Sequence, residues 1–206
     1  EKMDYEKAAI LRDRIKALTQ IQSSQNISST NLDNADVISI SQEAGKSCVQ
    51  VFFYRSKQNW GNQSYFPLHD KSHTAEEVLS SFIIQFYENK NVPSEILLNK
   101  KIKDLNLIKT ALEKKEEKLI SIKIPTKGNA LKLSRMAEKN AKEALTRKIF
   151  ESETNNKLLN EVADKFKLDI SPRIIEVYDN SHIQGSNSVG ALITFGSEGF
   201  IKKQYR

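Results

Sequence analysis

One cysteine, Cys48, stands in a chain of 206 residues, so no intrachain disulfide can form. It sits in an apolar, strand-like run, where a small buried hydrophobe is the ordinary reading and a reactive thiol the rarer one. No stretch of about 18 apolar residues occurs, which argues against a helix that crosses a membrane. No secretory leader precedes the first patterned segment. These absences point to a soluble protein of the reducing cytoplasm. Charge of one sign is only mildly in excess: 32 Lys and Arg face 26 Asp and Glu, a formal +6. That balance suits a nucleic-acid partner and equally many ordinary soluble proteins, so it decides little. The length holds one domain of fair size, or one plus part of another. Glu1 begins inside a helical pattern without a cap and Arg206 stops within a strand-like run, so a piece of a longer protein is expected.

What is present falls into four stretches. Over residues 3–21, Tyr5, Ala8, Leu11, Ile15 and Leu18 recur at the spacing of one helical stripe, with Ala9 beside it and Lys7, Arg12, Asp13, Arg14 and Lys16 around it. A lone helix of that length is marginal in water and needs a partner, either this chain's own core or another protein. The small Ala8–Ala9 pair favours close approach of a partner helix. Residues 22–35 are polar and too poor in apolar side chains to fold alone, so a flexible linker is expected.

Residues 36–150 carry alternating and helical patterns in turn. Strands are expected at Val37–Ser41, Ser47–Arg55 and Gln63–Pro67, with turns at Ala44–Lys46 and Asn59–Asn62. A helix over Thr74–Asn89, capped by Thr74, presents Val78, Leu79, Phe82, Ile83 and Phe86 to a core. Strand Glu95–Leu98, helix Ile102–Lys115, strand Leu119–Ile124 and a helix over Asn129–Phe150 complete the order. Three strands, helix, strand, helix, strand, helix is the element order of an RNase H-like domain. An active site of that kind wants an acid inside the first strand and others at the fourth strand and a nearby helix, since hard cations need several negative oxygens. Here Asp36 stands only at the start of the first strand and the fourth ends in neutral Asn99, so the domain is expected to be catalytically inert. His69 and His73 flank Asp70 in a loop that could bind a metal but reads more simply as solvated. In the last helix, Lys132, Arg135, Lys139 and Lys142 lie on one face and Leu133, Ala137, Ala141 and Ala144 on another. Those four cations either track DNA phosphates or are only a solvated face.

Residues 151–206 open with an amphipathic helix at Asn155–Lys167 carrying Leu158, Leu159, Val162, Ala163 and Phe166. Asp169–Pro172 then forces an extended start. Ile174–Tyr178 reads as a short, buried central strand that delivers Asp179 to its tip, followed by a polar turn, a second strand over Ser188–Phe195 and a third segment over Phe200–Tyr205. A strand-end aspartate commonly does no more than start a turn. In a nuclease meander it is a metal ligand.

Ile175-Glu176-Val177-Tyr178-Asp179-Asn180-Ser181-His182-Ile183-Gln184-Gly185-Ser186-Asn187-Ser188-Val189-Gly190 resembles the signature that opens the C-terminal endonuclease domain of the UvrC family, incision subunits of the bacterial UvrABC excinuclease. Tyr5-Glu6-Lys7-Ala8-Ala9-Ile10-Leu11-Arg12-Asp13-Arg14-Ile15 resembles the UVR motif through which that family meets UvrB. UVR-like helices also occur in chaperone-associated proteins, but the order and separation of the two motifs match UvrC. The resemblance implies an α/β chain: a UVR helix (1–21), a linker (22–35), an inert RNase H-like mixed-sheet domain (36–150) and the first strands of a second RNase H-like domain (151–206). It implies UvrB contacts through Tyr5, Ala8, Ala9, Leu11, Arg12 and Ile15, with damaged double-stranded DNA as the other partner. It further implies that Asp179 is the first carboxylate of a Mg2+ or Mn2+ site whose remaining acids lie downstream of Arg206. His182 could support that site or cap the turn. An adaptor that holds UvrB and DNA without cutting is the alternative reading.

Overall fold

β1 (Asn34–Glu43) is buried on both faces over most of its length, and the first part of the chain is built outward from it. The computed structural model describes residues 32–183 and 186–206, leaving aside the side chains of residues 182–188. The expected UVR helix, with Tyr5, Ala8, Ala9, Leu11, Arg12 and Ile15, lies outside the described residues, as does the linker as far as residue 31. The linker's expected end is corrected: Asn34 and Ala35 belong to β1, and Leu32 and Ala35 are buried.

β2 (Lys46–Arg55) and β3 (Gln58–Tyr65) follow β1 as an antiparallel meander. α1 (Ala75–Glu88) leads to β4 (Glu95–Leu98), which pairs parallel with β1, and α2 (Leu105–Glu116) leads to β5 (Ser121–Lys123), which pairs parallel with β4. The five-stranded order is β3-β2-β1-β4-β5. The mixed sheet and element order are those expected of an RNase H-like domain. Alternation along the strands separates two cores. Ile38, Ile40, Val49, Val51, Ile96 and Leu98 turn to one face, where Leu79, Ile83 and Phe86 of α1 and Ile108 and Leu112 of α2 cover them. Val37, Phe52, Tyr54 and Leu97 turn to the other, under Leu133 and Ala137 of α3 (Gly128–Phe166). Cys48 is buried, as its apolar neighbours led one to expect.

α1 begins where the sequence places it. Thr74 Oγ1 accepts from the Glu77 backbone N–H at 3.3 Å, and the Glu77 carboxylate accepts from the Thr74 N–H at 3.1 Å, a reciprocal capping box. The Thr74 N–H and hydroxyl, both donating to the carboxylate, hold the Glu77 carboxyl below its ordinary range. Its five expected core residues are all buried, and Tyr87 is buried with them. The last turn has no basic residue of its own, and Lys115 of α2 donates to the carbonyls of Tyr87 and Lys90.

The β2–β3 turn is not where the polar cluster Asn59–Asn62 suggested. The chain reverses at Ser56–Lys57, both with positive φ (50° and 62°), the sign that a tight primed hairpin turn demands. Asn59–Asn62 lies inside β3, where a bulge opposite Phe53 and Tyr54 leaves exposed Trp60 unpaired. Gly61, at φ 120°, allows it. The signal was hidden because neither turn residue is Gly or Asn. α2 also starts later than expected, since Asp104 takes a left-handed conformation before Leu105.

The two helices expected on either side of residues 151–154 are one, α3, of 39 residues. Glu151-Ser152-Glu153-Thr154 is polar but contains neither Gly nor Pro, so nothing forces a break.

Two compact units divide within this helix, between Lys142 and Glu143. In the second, the helix buries Leu145, Leu159 and Ala163, whereas Leu158 and Phe166, expected on its core face, are exposed. β6 (Ile174–Ile183), β7 (Ser186–Gly196) and β8 (Gly199–Phe200) form an antiparallel sheet in that order. Asn155 donates to the Ser197 carbonyl at 3.2 Å and Lys148 pairs with Glu198 at 2.9 Å, so the β7–β8 turn is tied to the helix. The third segment is corrected too. After two residues of strand it becomes a 3-10 turn at Lys202–Gln204, and Arg206 exchanges backbone hydrogen bonds with Leu192.

The strained hairpin yields a test. Replacing Ser56–Lys57 by Asn-Gly relieves two non-glycine residues of a left-handed conformation that costs each about 1–2 kcal/mol. The Lys57 N–H bond to the Asp33 carbonyl (3.2 Å) survives the exchange. Urea unfolding should show a gain of roughly 1 kcal/mol or more, and no gain would mean that the turn is not strained.

Candidate functional site

Two aspartates occupy strands that open a meander, and their surroundings differ. Asp36 is the third residue of β1, so it lies inside the strand and not merely at its start. Its carboxylate is 1% exposed. A bare charge there would be costly, and each oxygen is satisfied. Arg55, diagonally placed on β2, donates to Oδ1 at 2.7 Å, and the Tyr87 hydroxyl of α1 donates to Oδ2 at 2.7 Å. Arg55 also donates to the carbonyls of Ala35 and Tyr54. Burial, then the charge and hydrogen bond of Asp36, push the Tyr87 hydroxyl well above its ordinary pKa, although Arg55 opposes this. The acid is thus spent on structure.

At the end of β4 the neutral residue is equally committed. Asn99 Oδ1 accepts from the Ile40 N–H at 2.9 Å, and its Nδ2 donates to the Ile40 carbonyl and to Glu138 of α3, both at 3.0 Å. This bonding fastens β4 to β1 just beyond their last paired residues. The His69 side chain and the backbone of His73, whose N–H donates to the Asp70 carbonyl and whose carbonyl accepts from Gln42, hold a loop in place. His69 bonds the Asp70 carbonyl through Nδ1 and the Ser47 hydroxyl through Nε2, while Asp70 Oδ1 accepts from the Ser72 N–H and hydroxyl, which keeps its carboxyl below the usual range.

Asp179 is in the middle of β6, opposite Ala191 of β7, and is exposed. The expected picture, a tip residue on a short buried strand, is corrected on both counts. The strand runs on through Asn180 and Ser181, and Ile174, Val177 and Tyr178 are all 48% or more exposed. Among the described residues β6 has one strand neighbour and no layer packed over its Asp179 face, so apolar residues that read as core stand open. Alternation puts Asp179 on the face that carries Val177, Val189 and Ile193, and Glu176 on the other. There Glu176 accepts from the Tyr178 hydroxyl at 2.9 Å, a bond that raises the Tyr178 pKa. Gly190, opposite Asn180, leaves room for that amide, since an added Cβ would come within 3.0 Å of Asn180 Oδ1. His182 lies among the side chains left undescribed.

A divalent cation needs several oxygen ligands. Among the described residues no group of three or more His, Cys, Asp or Glu side chains could hold a metal. Among the described residues of the first unit, Asp36 and Asn99 do not fit a metal, because both Asp36 oxygens already accept hydrogen bonds and Asn99 is neutral. In the second, Asp179 offers one free carboxylate.

Lys132, Arg135, Lys139 and Lys142 are all exposed on α3, while Leu133, Ala137, Ala141 and Ala144 are buried, so the two faces divide as the spacing indicated. No described helix is long and apolar enough to cross a membrane.

Comparison with known proteins shows which family the chain belongs to. The family model described as "UvrC Ribonuclease H-like domain" matches residues 34–148, more than half of the chain. The chain belongs to the UvrC family. A second model, "UvrC RNAse H endonuclease domain", matches residues 163–206, and a third, "UvrB/uvrC motif", matches residues 1–21. Relatives named UvrABC system protein C include those of Ruegeria sp. (48% identical over 100% of this chain), Cereibacter sphaeroides (46% over 100%) and Rhodopseudomonas palustris (49% over 99%). The chain spans about a third of the length of these UvrC proteins: 32%, 33% and 29% respectively. The limits of the first family model, 34–148, also include Asn34 and Ala35, which the sequence had assigned to the linker.

Tyr87 gives the buried triad a measurable signature. In the unfolded chain it titrates near 10, and in the folded chain it keeps its proton to higher pH. The stabilisation is therefore complete below that value and is lost as pH climbs through it toward the raised folded one. Tyr87→Phe should lower the unfolding free energy at neutral pH by roughly 1.5–3 kcal/mol, the worth of a hydrogen bond to a charged group. It should also flatten the decline of stability at alkaline pH relative to the parent chain. An unchanged alkaline limb would remove Tyr87 from this role.

Proposed function

We propose that this chain is the part of a nucleotide-excision-repair endonuclease subunit that joins UvrB, duplex DNA and the incision site. Asp179 is the observation that carries the reading: a free, exposed carboxylate on the first strand of a meander matched by the UvrC endonuclease-domain model. In this reading Asp179 is one ligand of a Mg2+ or Mn2+ ion, and the family resemblance assigns the remaining acids to sequence downstream of Arg206. Such an ion would supply an activated water and charge neutralisation for phosphodiester hydrolysis. This chain's own residues contribute one ligand, the sheet that holds it, and the inert domain ahead of it. Residues 1–21, matched by the UvrB/UvrC motif, supply the contact with UvrB. The exposed cations of α3 run along DNA phosphates.

The second reading, an adaptor that holds UvrB and DNA without cutting, is favoured by a specific observation. The one buried acid among the described residues of the first unit is locked by Arg55 and Tyr87, and Asp179 has no carboxylate partners among the described residues. It describes the 206-residue chain taken alone, whereas the first reading describes the longer protein.

Two measurements test these statements. The 206-residue chain with Mg2+ or Mn2+ should leave damaged duplex intact. The longer protein should incise it with UvrB and lose incision on Asp179→Ala, with little change in thermal midpoint because the side chain is exposed. Incision at the parent rate by that variant removes Asp179 from the site. Replacing Lys132, Arg135, Lys139 and Lys142 together by Ala should make the slope of log K against log salt shallower for DNA binding. The shift should be as much as about 3.6, at 0.9 for each phosphate contact, and an unchanged slope would make the stripe a solvated face only.

A further inference from the structure

β4 and β5 end side by side along β1, and the carboxyl ends of parallel strands are the place where open α/β sheets receive ligands. Among the described residues of the first unit no acid cluster stands there. Asn99 ends β4, and the sequence continues Lys100-Lys101-Ile102-Lys103. This loop is held from both ends. Asn99 is bonded to both backbone groups of Ile40 and to Glu138, Ile102 is buried, and the Lys103 N–H donates to the Ser80 hydroxyl at 2.9 Å. The backbone of Lys100 and Lys101 is therefore fixed between anchors, and both side chains are exposed.

The carboxylates bonded to this loop are occupied. Glu77 caps α1 and faces Lys103 at 3.6 Å, and Glu138 accepts from Asn99. Among the described residues Lys100 and Lys101 form no ion pair. Two cations on a pinned loop form a surface for phosphate oxygens. Little chain entropy remains to be lost on binding.

We infer that the carboxyl end of β4 in the first unit, through Lys100 and Lys101, grips the phosphate backbone of duplex DNA at the position where an active domain of this fold would cut it. The inference rests on the reading that DNA is a partner, and it adds a contact separate from the α3 stripe. The contact is electrostatic and independent of base sequence, because lysine ammonium groups on phosphates carry no base information.

Anisotropy of a fluorescein-labelled duplex, titrated with the 206-residue chain over a series of KCl concentrations, tests it. The variant Lys100→Ala/Lys101→Ala should reduce the magnitude of the slope of log K against log salt by about 1.8, two contacts at 0.9 each. Lys114→Ala, which removes an exposed lysine of α2, should leave it unchanged. Acetylation of the parent chain with and without duplex should show Lys100 and Lys101 protected and Lys114 not. If the parent binds but the double variant keeps the parent slope, this proposal falls and the DNA reading stands. Equal losses in the double variant and Lys114→Ala would reduce the effect to net charge and overturn the proposal as well. Failure of the parent chain to bind duplex at all would overturn both.

Discussion

A carboxylate placed within a sheet and covered by a helix has to be neutralised where it stands, and the first unit is arranged around that requirement. Asp36 sits on the central strand, Arg55 reaches it from the neighbouring strand, and Tyr87 closes it from α1. The three groups come from elements far apart in sequence, so the bonds form only when β1, β2 and α1 are all in place. Removing one partner from such a set leaves a buried charge, which costs more than the pair contributes as a unit. The same arrangement denies Asp36 to a metal, because both oxygens already accept from strong donors.

The chain therefore uses one strand pattern twice with opposite electrostatic outcomes. In β1 the acid is sealed and serves folding. In β6 Asp179 is open to solvent with no bonded partner described, on a sheet face whose apolar residues Val177, Val189 and Ile193 are exposed. A group that is to bind a hard cation has to keep its oxygens free, and one that fastens a core cannot. At the end of β4 the same logic appears in neutral form: Asn99 satisfies both backbone groups of Ile40, a bonding pattern that a carboxylate, having no donor, could not supply.

Much of the first unit was legible because its local signals agree with one another. Thr74 and Glu77 announce a helix start, the periodic Val78–Phe86 face announces its core, and Glu95–Leu98 is apolar and short. The misreadings share a cause. Asn59–Asn62 was taken for a turn and Glu151–Thr154 for a gap between two helices, yet they are carried through a strand and a helix because neighbouring structure continues their hydrogen bonding. The actual turn at Ser56–Lys57 has residues that dislike its backbone conformation, and the pairing of β2 with β3 imposes it. Asp36 was discounted since its position relative to the strand depends on where β1 begins, and Leu32 and Ala35 are drawn into the core by contacts distant in sequence.

What the sequence determined by itself was the order of the elements from β1 to β5, the two faces of the first half of α3 and the family, since these rest on local periodicity and on motif residues that are neighbours in the chain. What the tertiary structure decided was the fate of each acid. Whether an aspartate is a ligand or a strut depends on which donors from other strands and helices reach it. Arg55 and Tyr87 lie 19 and 51 residues away from Asp36, and no spacing rule along the chain could have brought them together.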